Sequence, residues 1–194
     1  MRDAIKKLRE KTAAGIMDCK RALKDASGDV EKAVEILRKR GIKLASEKSS
    51  RAAKDGCVES YIHANGKIGV LVEINCETDF VARNEEFKAF TKDIAMQIAA
   101  AKPRYVKRED IPASTVEKEK EILLATLKGK PKPALDKILT GKLEKFYEEN
   151  CLIDQPFIKN PKTKVKELLQ ALIAKIGENI VIRRFARYQL GEEI

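Results

Sequence analysis

Nine residues, Cys76-Glu77-Thr78-Asp79-Phe80-Val81-Ala82-Arg83-Asn84, hold the densest mixture of chemistry in the chain. Thr78, Asp79 and Asn84 can each accept a hydrogen bond from the free amides of a first helical turn, so all three are candidate N-caps. Caps account for the polar residues. They do not account for Phe80-Val81, an apolar pair in a connection. Two readings fit that pair. In one it is a hydrophobic staple or core plug. In the other, Thr78, Asp79, Phe80 and Val81 form an acidic and aromatic wedge offered to a partner. Catalysis by the chain's own residues is poorly provided for. The single histidine, His63, has no Ser, Cys or carboxylate motif beside it. The four cysteines, Cys19, Cys57, Cys76 and Cys151, form no CxxC pair, and with one histidine they make too poor a ligand set for structural zinc. They read as free thiols. With no nucleophile–base pair, metal cluster or phosphate loop in view, the chain reads as a non-enzyme that needs no cofactor.

The flanking sequence supplies a scaffold for the nonapeptide. Ile68 to Asn75 alternates and is rich in β-branched residues, which predicts a strand. Glu85 to Ala101 carries Phe87, Phe90, Ile94, Ile98 and Ala101 at helical spacing. The nonapeptide is therefore a strand-to-helix turn. Upstream, Cys57 to His63 predicts a strand, and Asn65-Gly66 predicts a hairpin. Two registers are open. A short loop pairs His63 with Ile68 and turns Cys57, Glu59, Tyr61 and His63 to the apolar face. A loop with a bulge at Gly66 pairs Val58 and Ile62 with Ile74 and Val70. The second is favoured because it buries apolar groups consistently.

The first 54 residues predict three short helices. One covers residues 3–13 with Ile5 and Leu8 inward, and Gly15 suits its C-cap. A second runs from about Asp18 to Ala26. A third, capped by Asp29, carries Val30, Ala33, Val34 and Leu37 and ends at Gly41. Ile16 and Met17 lie outside the apolar stripes. They either fill the bundle's centre or form an adaptable contact for a partner helix. Ile42 to Asp55 reads as a linker with weak helical character, which divides residues 1–54 from residues 55–194. Downstream, Lys102-Pro103 ends a helix, and Ser114-Thr115-Val116-Glu117 fits a capping box for a helix reaching about Leu127. Gly129 to Pro133 is a rigid turn before a helix from about Ala134 to Glu149. Gln155 to Ile158 is extended. A helix from Thr163 or Lys164 to Ile176 and a strand from Ile180 to Leu190 follow, the strand being a third partner for the hairpin. The fold class is α+β: an N-terminal three-helix bundle resembling ubiquitin-associated domains, then a small three-stranded antiparallel sheet packed with helices.

Composition excludes some roles and qualifies others. No stretch approaches the roughly 20 apolar residues of a membrane span, and the charged start, Met1 to Lys7, has no apolar signal segment. A cytosolic protein is expected. The net charge of +10 invites a nucleic-acid reading. Residues 1–54 hold 16 Lys and Arg against 8 Asp and Glu, so the excess is concentrated there. The signs alternate along helices, however, as on a solvated surface, and the stacking aromatics of an RNA-binding sheet are absent.

The segment from Gly66 to Asn84 resembles the signature of the elongation factor Ts family. So do Leu8 to Thr12 with Gly15 to Leu23, and Lys175-Ile176-Gly177-Glu178-Asn179-Ile180. The resemblance implies a nucleotide exchange factor for the translational GTPase elongation factor Tu. It implies that Asp79 and Phe80, with Thr78 and Val81, intrude near the bound nucleotide and displace its magnesium network. It also implies that Leu8, Ile16 and Met17 dock on a helix of the GTPase domain. Such a factor binds the GDP form, promotes GDP release and is displaced when GTP binds. Longer family members carry two related core subdomains and a coiled-coil insertion. Only one set of hairpin, helices and final strand is present here, which implies a homodimer supplying the second half. Direct nucleic-acid and membrane partners are not expected. The rival readings are a basic RNA-binding protein and a ubiquitin-like-binding adaptor.

Overall fold

The computed structural model describes residues 1–12, 14–126 and 132–192. Its elements are α1 (Arg2–Thr12), α2 (Ile16–Asp25), α3 (Val30–Lys48), β1 (Asp55–Ile62), β2 (Ile68–Cys76), α4 (Asp79–Ala82) and α5 (Glu85–Ala101). They continue with α6 (Ala113–Thr126), α7 (Lys132–Asn150), β3 (Pro156–Phe157), β4 (Asn160–Lys164), α8 (Val165–Ile176) and β5 (Val181–Gln189). The three long strands make one sheet in the order β1-β2-β5, and β3 pairs with β4 in a separate antiparallel ribbon. The fold is α+β, with the helical cluster at the N-terminus. No helix among the described residues is long and apolar enough to cross a membrane. The chain divides into two compact units, each drawn from three segments.

The first unit comprises Met1–Val58, Glu73–Phe90 and Glu167–Ile182. Its N-terminal bundle closes over Leu8, Cys19, Ala22, Leu23, Ala26 and Ala33, with Ile5, Val34 and Leu37 packed around them. Asp29 caps α3, accepting from the amides of Glu31 at 2.9 Å and Lys32 at 3.1 Å. Two glycines play different parts from those expected. Gly15 does not end α1; it precedes α2, which starts at Ile16 rather than Asp18. Gly41 does not end α3, which continues to Lys48 and absorbs half of the expected linker. A mid-helix glycine costs about 1 kcal/mol, but here it is buried, and a Cβ on it would meet Ala174 of α8 at 3.4 Å. A small residue suffices at this crossing of α3 and α8, with room for a methyl but little more. Around the turn of interest, Ile74, Cys76, Val81, Phe87, Phe90, Ile173, Ile180 and Ile182 are buried.

The second unit comprises Glu59–Val72, Thr91–Lys166 and Arg183–Ile194. Val70, Val72, Ile94, Ala95, Ile98, Leu152, Phe157 and Val165 are buried in it. Gln97, fully buried, donates to Gln155 Oε1 at 3.1 Å and to the Pro156 carbonyl at 3.2 Å, and accepts from the Ile158 amide at 2.8 Å. That side chain pins the extended Gln155–Ile158 segment. The β3–β4 ribbon was not expected from the sequence. Arg108 bridges Asp154 and Glu144 at 2.8 Å and lies 4.5 Å from the centre of the Tyr147 ring. The helix expected to open at Thr115, after a capping box at Ser114, starts two residues earlier, at Ala113. The amides of Thr115 and Val116 bond to the Pro112 carbonyl, so Ser114 is already inside α6. The expected turn at Gly129–Pro133 lies, over residues 129–131, outside the described residues.

The hairpin register differs from the favoured expectation. The His63 amide bonds to the Ile68 carbonyl at 2.8 Å, the pairing of the alternative. Cys57, Glu59 and Tyr61 accordingly turn inward, while Val58 and Ile62 are each 67% exposed. Asn65 and Gly66 both adopt positive φ, 71° and 68°, and this loop rather than side-chain hydrophobicity sets the register. His63 is exposed, with Nδ1 3.1 Å from the Tyr61 hydroxyl.

Gly56 marks the tightest backbone approach. Its φ is 137°, and an added Cβ would lie 2.2 Å from the Ile74 carbonyl oxygen. Gly56→Ala is therefore expected to destabilise the protein by about 1–3 kcal/mol. Gly41→Ala should be tolerated, because its methyl meets Ala174 at ordinary contact distance. Equal losses for the two variants in urea denaturation would contradict this assignment.

Candidate functional site

Cys76 ends β2, and three residues later, at Asp79, the chain enters α4. The four-residue helix starts because Thr78 caps it: the threonine hydroxyl accepts from the Val81 amide at 3.4 Å. Asn84 caps the next helix, its Oδ1 accepting from the Glu86 amide at 2.8 Å. Asp79, the third candidate cap, is instead the first residue of α4 and pairs with Arg83 at 2.8 Å on the surface. An exposed pair of this kind contributes little to stability. The Phe-Val pair divides. Val81 is 9% exposed and fills the core beneath the turn, whereas Phe80 is 79% exposed. A staple requires burial, so Val81 alone can serve as one.

The turn is held from below by residues about a hundred positions away, all in the first unit. Glu178 Oε2 accepts from the amides of Glu77 at 3.2 Å and Thr78 at 3.1 Å, and Oε1 accepts from the Thr78 hydroxyl at 2.7 Å. In return, Glu77 Oε1 accepts from the Asn179 amide at 2.6 Å, and its other oxygen lies 3.6 Å from Arg51. Asn179 is buried and donates to the Arg51 carbonyl at 2.8 Å. Lys48 donates to the Gly177 carbonyl. The Cys76 thiol reaches the Thr78 carbonyl at 3.1 Å. Burial, then the charges of Glu178 and Asp55, push that thiol up to about 11, so it stays protonated and donates. The positive φ of Gly177, 85°, stops α8 just before Glu178.

Sequence reasoning did not single out Glu178, Asn179 or Arg51 for this role. The available signal was a Glu-Asn pair placed directly after a helix-ending glycine, two polar residues at the mouth of an apolar strand. The other expected contact residues are placed as follows. Ile16 and Met17 open α2 and are 55% and 63% exposed. Leu8, expected beside them at a partner surface, is instead completely buried among Cys19, Ala22 and Leu23. It has no surface to offer and can act only by supporting the bundle. Among the described residues no group of three His, Cys, Asp or Glu could hold a metal ion.

The Glu77 tie carries a pH signature. The Asn179 amide, and secondly Arg51, hold the Glu77 carboxyl below its ordinary value, against some desolvation. A depressed folded value stabilises the fold above the ordinary carboxylate range, and that contribution is lost as pH falls through the folded value. The Asn179 amide resonance should therefore stay unmoved on acidification through the ordinary glutamate range and shift only below it. Titration of that resonance at or above 4.5, the ordinary glutamate value, would contradict the tie.

Comparison with known proteins adds a family. A family model described as Elongation factor TS matches residues 1–192. An elongation factor Ts from Carboxydothermus hydrogenoformans is 62% identical over 190 residues, covering 97% of this chain and 88% of the relative. One from Caldanaerobacter subterraneus subsp. tengcongensis is 58% identical over 193 residues, covering 98% and 96%. One from an Anaeromyxobacter species is 61% identical over 190 residues, covering 97% and 87%. A family match spanning nearly the whole chain, with relatives of this identity and coverage, establishes that the protein belongs to the elongation factor Ts family.

Proposed function

We propose that this chain is the guanine nucleotide exchange factor of elongation factor Tu and that it acts through the turn Thr78-Asp79-Phe80-Val81. The observation that supports this reading best is the exposure of Phe80 on a turn anchored by the Thr78 cap and by buried Val81. A contact that covered this ring would remove its apolar area from water and be favoured by it. The exchange reaction needs no nucleophile or base from the factor, and none is assigned. The factor must bind the GTPase better without nucleotide than with it. By linkage, a complex that weakens GDP affinity is weakened by GDP to the same extent. A thousandfold loosening corresponds to roughly 4 kcal/mol of coupling. Phe80 and Asp79, brought to the magnesium and phosphate site, would supply it by disturbing the ion that neutralises phosphate charge. The factor binds the GDP form and is displaced when GTP binds.

Residues 1–54 form the docking part of this proposal, with Ile16 and Met17 as an apolar contact against a helix of the GTPase and Leu8 as its internal support. Residues 55–194 form the core and dimerisation part. In the second unit, Ile62, Leu71, Tyr188 and Leu190 are exposed. β5 is the neighbour of β2 in the sheet, and just past their ends the Leu190 amide bonds to the Lys67 carbonyl at 2.8 Å. An apolar sheet face of this kind is what a second copy would cover through a self-complementary contact. The setting is cytosolic, with no direct nucleic-acid or membrane partner.

Docking and wedge are separable in a fluorescent-GDP release assay with elongation factor Tu. Phe80→Ala should lower the maximal release rate while leaving thermal stability nearly unchanged. Met17→Asp should raise the factor concentration needed for half-maximal release while the maximum stays close to normal. A fall in the maximum for Met17→Asp as large as for Phe80→Ala would show that the division is wrong. Light scattering of the free protein at micromolar concentration should give about twice the chain mass. A value of one chain mass there would rule the homodimer out.

A further inference from the structure

We infer that Glu178 is a positioning residue for nucleotide exchange: its carboxylate sets the direction in which Phe80 leaves the fold without itself meeting the partner. This rests on the proposed role of the Thr78–Val81 turn. It adds a residue outside that turn, about a hundred positions along the chain.

Each polar atom of Thr78 has a partner. Its amide and hydroxyl donate to the two oxygens of Glu178, its hydroxyl accepts from Val81, and its carbonyl accepts from the Cys76 thiol and the Ala82 amide. Glu178 also takes the Glu77 amide, so one carboxylate receives three donors from two consecutive residues. A carboxylate receiving several short-range donors fixes the orientation of the peptide planes that supply them. Phe80 follows two residues later on the single turn of α4, and Val81 anchors that turn in the core. With the cap residue clamped and Val81 buried, α4 has little rotational freedom, and Phe80 is held outward. Glu178 is itself fixed. It follows Gly177, whose carbonyl accepts from Lys48, and precedes Asn179, whose amide is held by Glu77. The two strands of chain thus exchange carboxylates: Glu178 holds residues 77 and 78, and Glu77 holds residue 179.

A wedge transmits force only as far as its support resists. Loosening the clamp should leave docking through α2 intact and weaken what Phe80 does after docking. The expected signature is a fall in the maximal rate at unchanged half-saturation.

The test compares wild type, Glu178→Gln and Glu178→Ala as full chains in two measurements. The first is hydrogen exchange at the Glu77 and Thr78 amides, with the Glu86 amide, capped independently by Asn84, as internal reference. Glu178→Gln keeps the side-chain size but loses the charge and turns an amide toward the donors. It should speed exchange at Glu77 and Thr78 about tenfold, the scale of one charge-assisted hydrogen bond, and leave Glu86 unchanged. The second is fluorescent-GDP release from elongation factor Tu across a range of factor concentrations. Glu178→Gln should lower the maximal rate about tenfold with half-saturation within about twofold of wild type, on that same scale. Glu178→Ala should lower it further. Glu178→Gln carries the test should the alanine variant fail to fold. Unchanged amide exchange overturns the inference. So does a normal maximal rate with loosened amides, and so does a change confined to half-saturation. If wild type itself releases no GDP, the proposed function fails, and the clamp is then judged by the amide exchange alone.

Discussion

The first unit depends on a pair of carboxylates that each hold backbone at the other's segment. Glu178 receives the amides of Glu77 and Thr78, and Glu77 receives the amide of Asn179. At this point a strand ends, a helix begins and a third segment passes beneath, which leaves several amides without ladder partners. Buried amides without partners are costly, about 1–3 kcal/mol each. Two charged acceptors remove that cost and pin the crossing segments together. The cap of α4, the burial of Val81 and the exposure of Phe80 follow from where Thr78 is held.

The second unit solves a similar problem with neutral and cationic groups. Gln97 is fully buried yet fully bonded, serving three positions of the Gln155–Ile158 segment. Gln155 in turn donates to the carbonyls of Ala101 and Glu149, at 3.3 and 3.1 Å, closing the ends of α5 and α7. Arg108 makes paired contacts to Glu144 and Asp154 and lies against Tyr147. Its planar fork suits two carboxylates at once, a task a lysine could not perform in the same geometry. These side chains hold irregular backbone in fixed positions. Hydrophobic burial could not do so, because it has no direction.

The N-terminal bundle is built differently. Its centre is made of small residues around Leu8 and Leu23, so the helices lie close and little apolar area is buried. A core of that size is marginal by itself. Its outer surface shows Ile16 and Met17 at the first two positions of α2, where a helix end projects its side chains. Met is well suited to such a contact, since its unbranched chain adapts to what it meets. A weakly cored module presenting adaptable apolar residues fits docking. A turn whose cap residue, Thr78, has a partner for each polar atom fits a rigid probe. In the proposed function the two tasks call for opposite mechanical properties, and they fall on different segments.

Much of this was legible in the residues. Periodicity located α5 to the residue and β2 to within one, because a strand and a helix with strong apolar patterns need no tertiary help to be recognised. The resemblance in Leu8 to Leu23, Gly66 to Asn84 and Lys175 to Ile180 pointed to the family that the comparisons establish. What the sequence could not decide were questions of partner and face. Phe80 and Val81 are adjacent and equally apolar, and only the cap at Thr78 determines that one points out and the other in. Gly41 reads as a stop until α3 is seen to run through it to Lys48, buried opposite Ala174 of α8. The hairpin register followed the loop at Asn65-Gly66, against the apolar count on β1, because the loop's left-handed backbone admits one pairing. Leu8 and Met17 look alike in a hydropathy pattern, yet one is the bundle's centre and the other its surface. The Glu77–Glu178 exchange spans a hundred residues, and no local period or spacing encodes a hydrogen bond at that separation. The local pattern determined which elements form, while the directions and long-range partners of single polar side chains were decided only when the chain closed on itself.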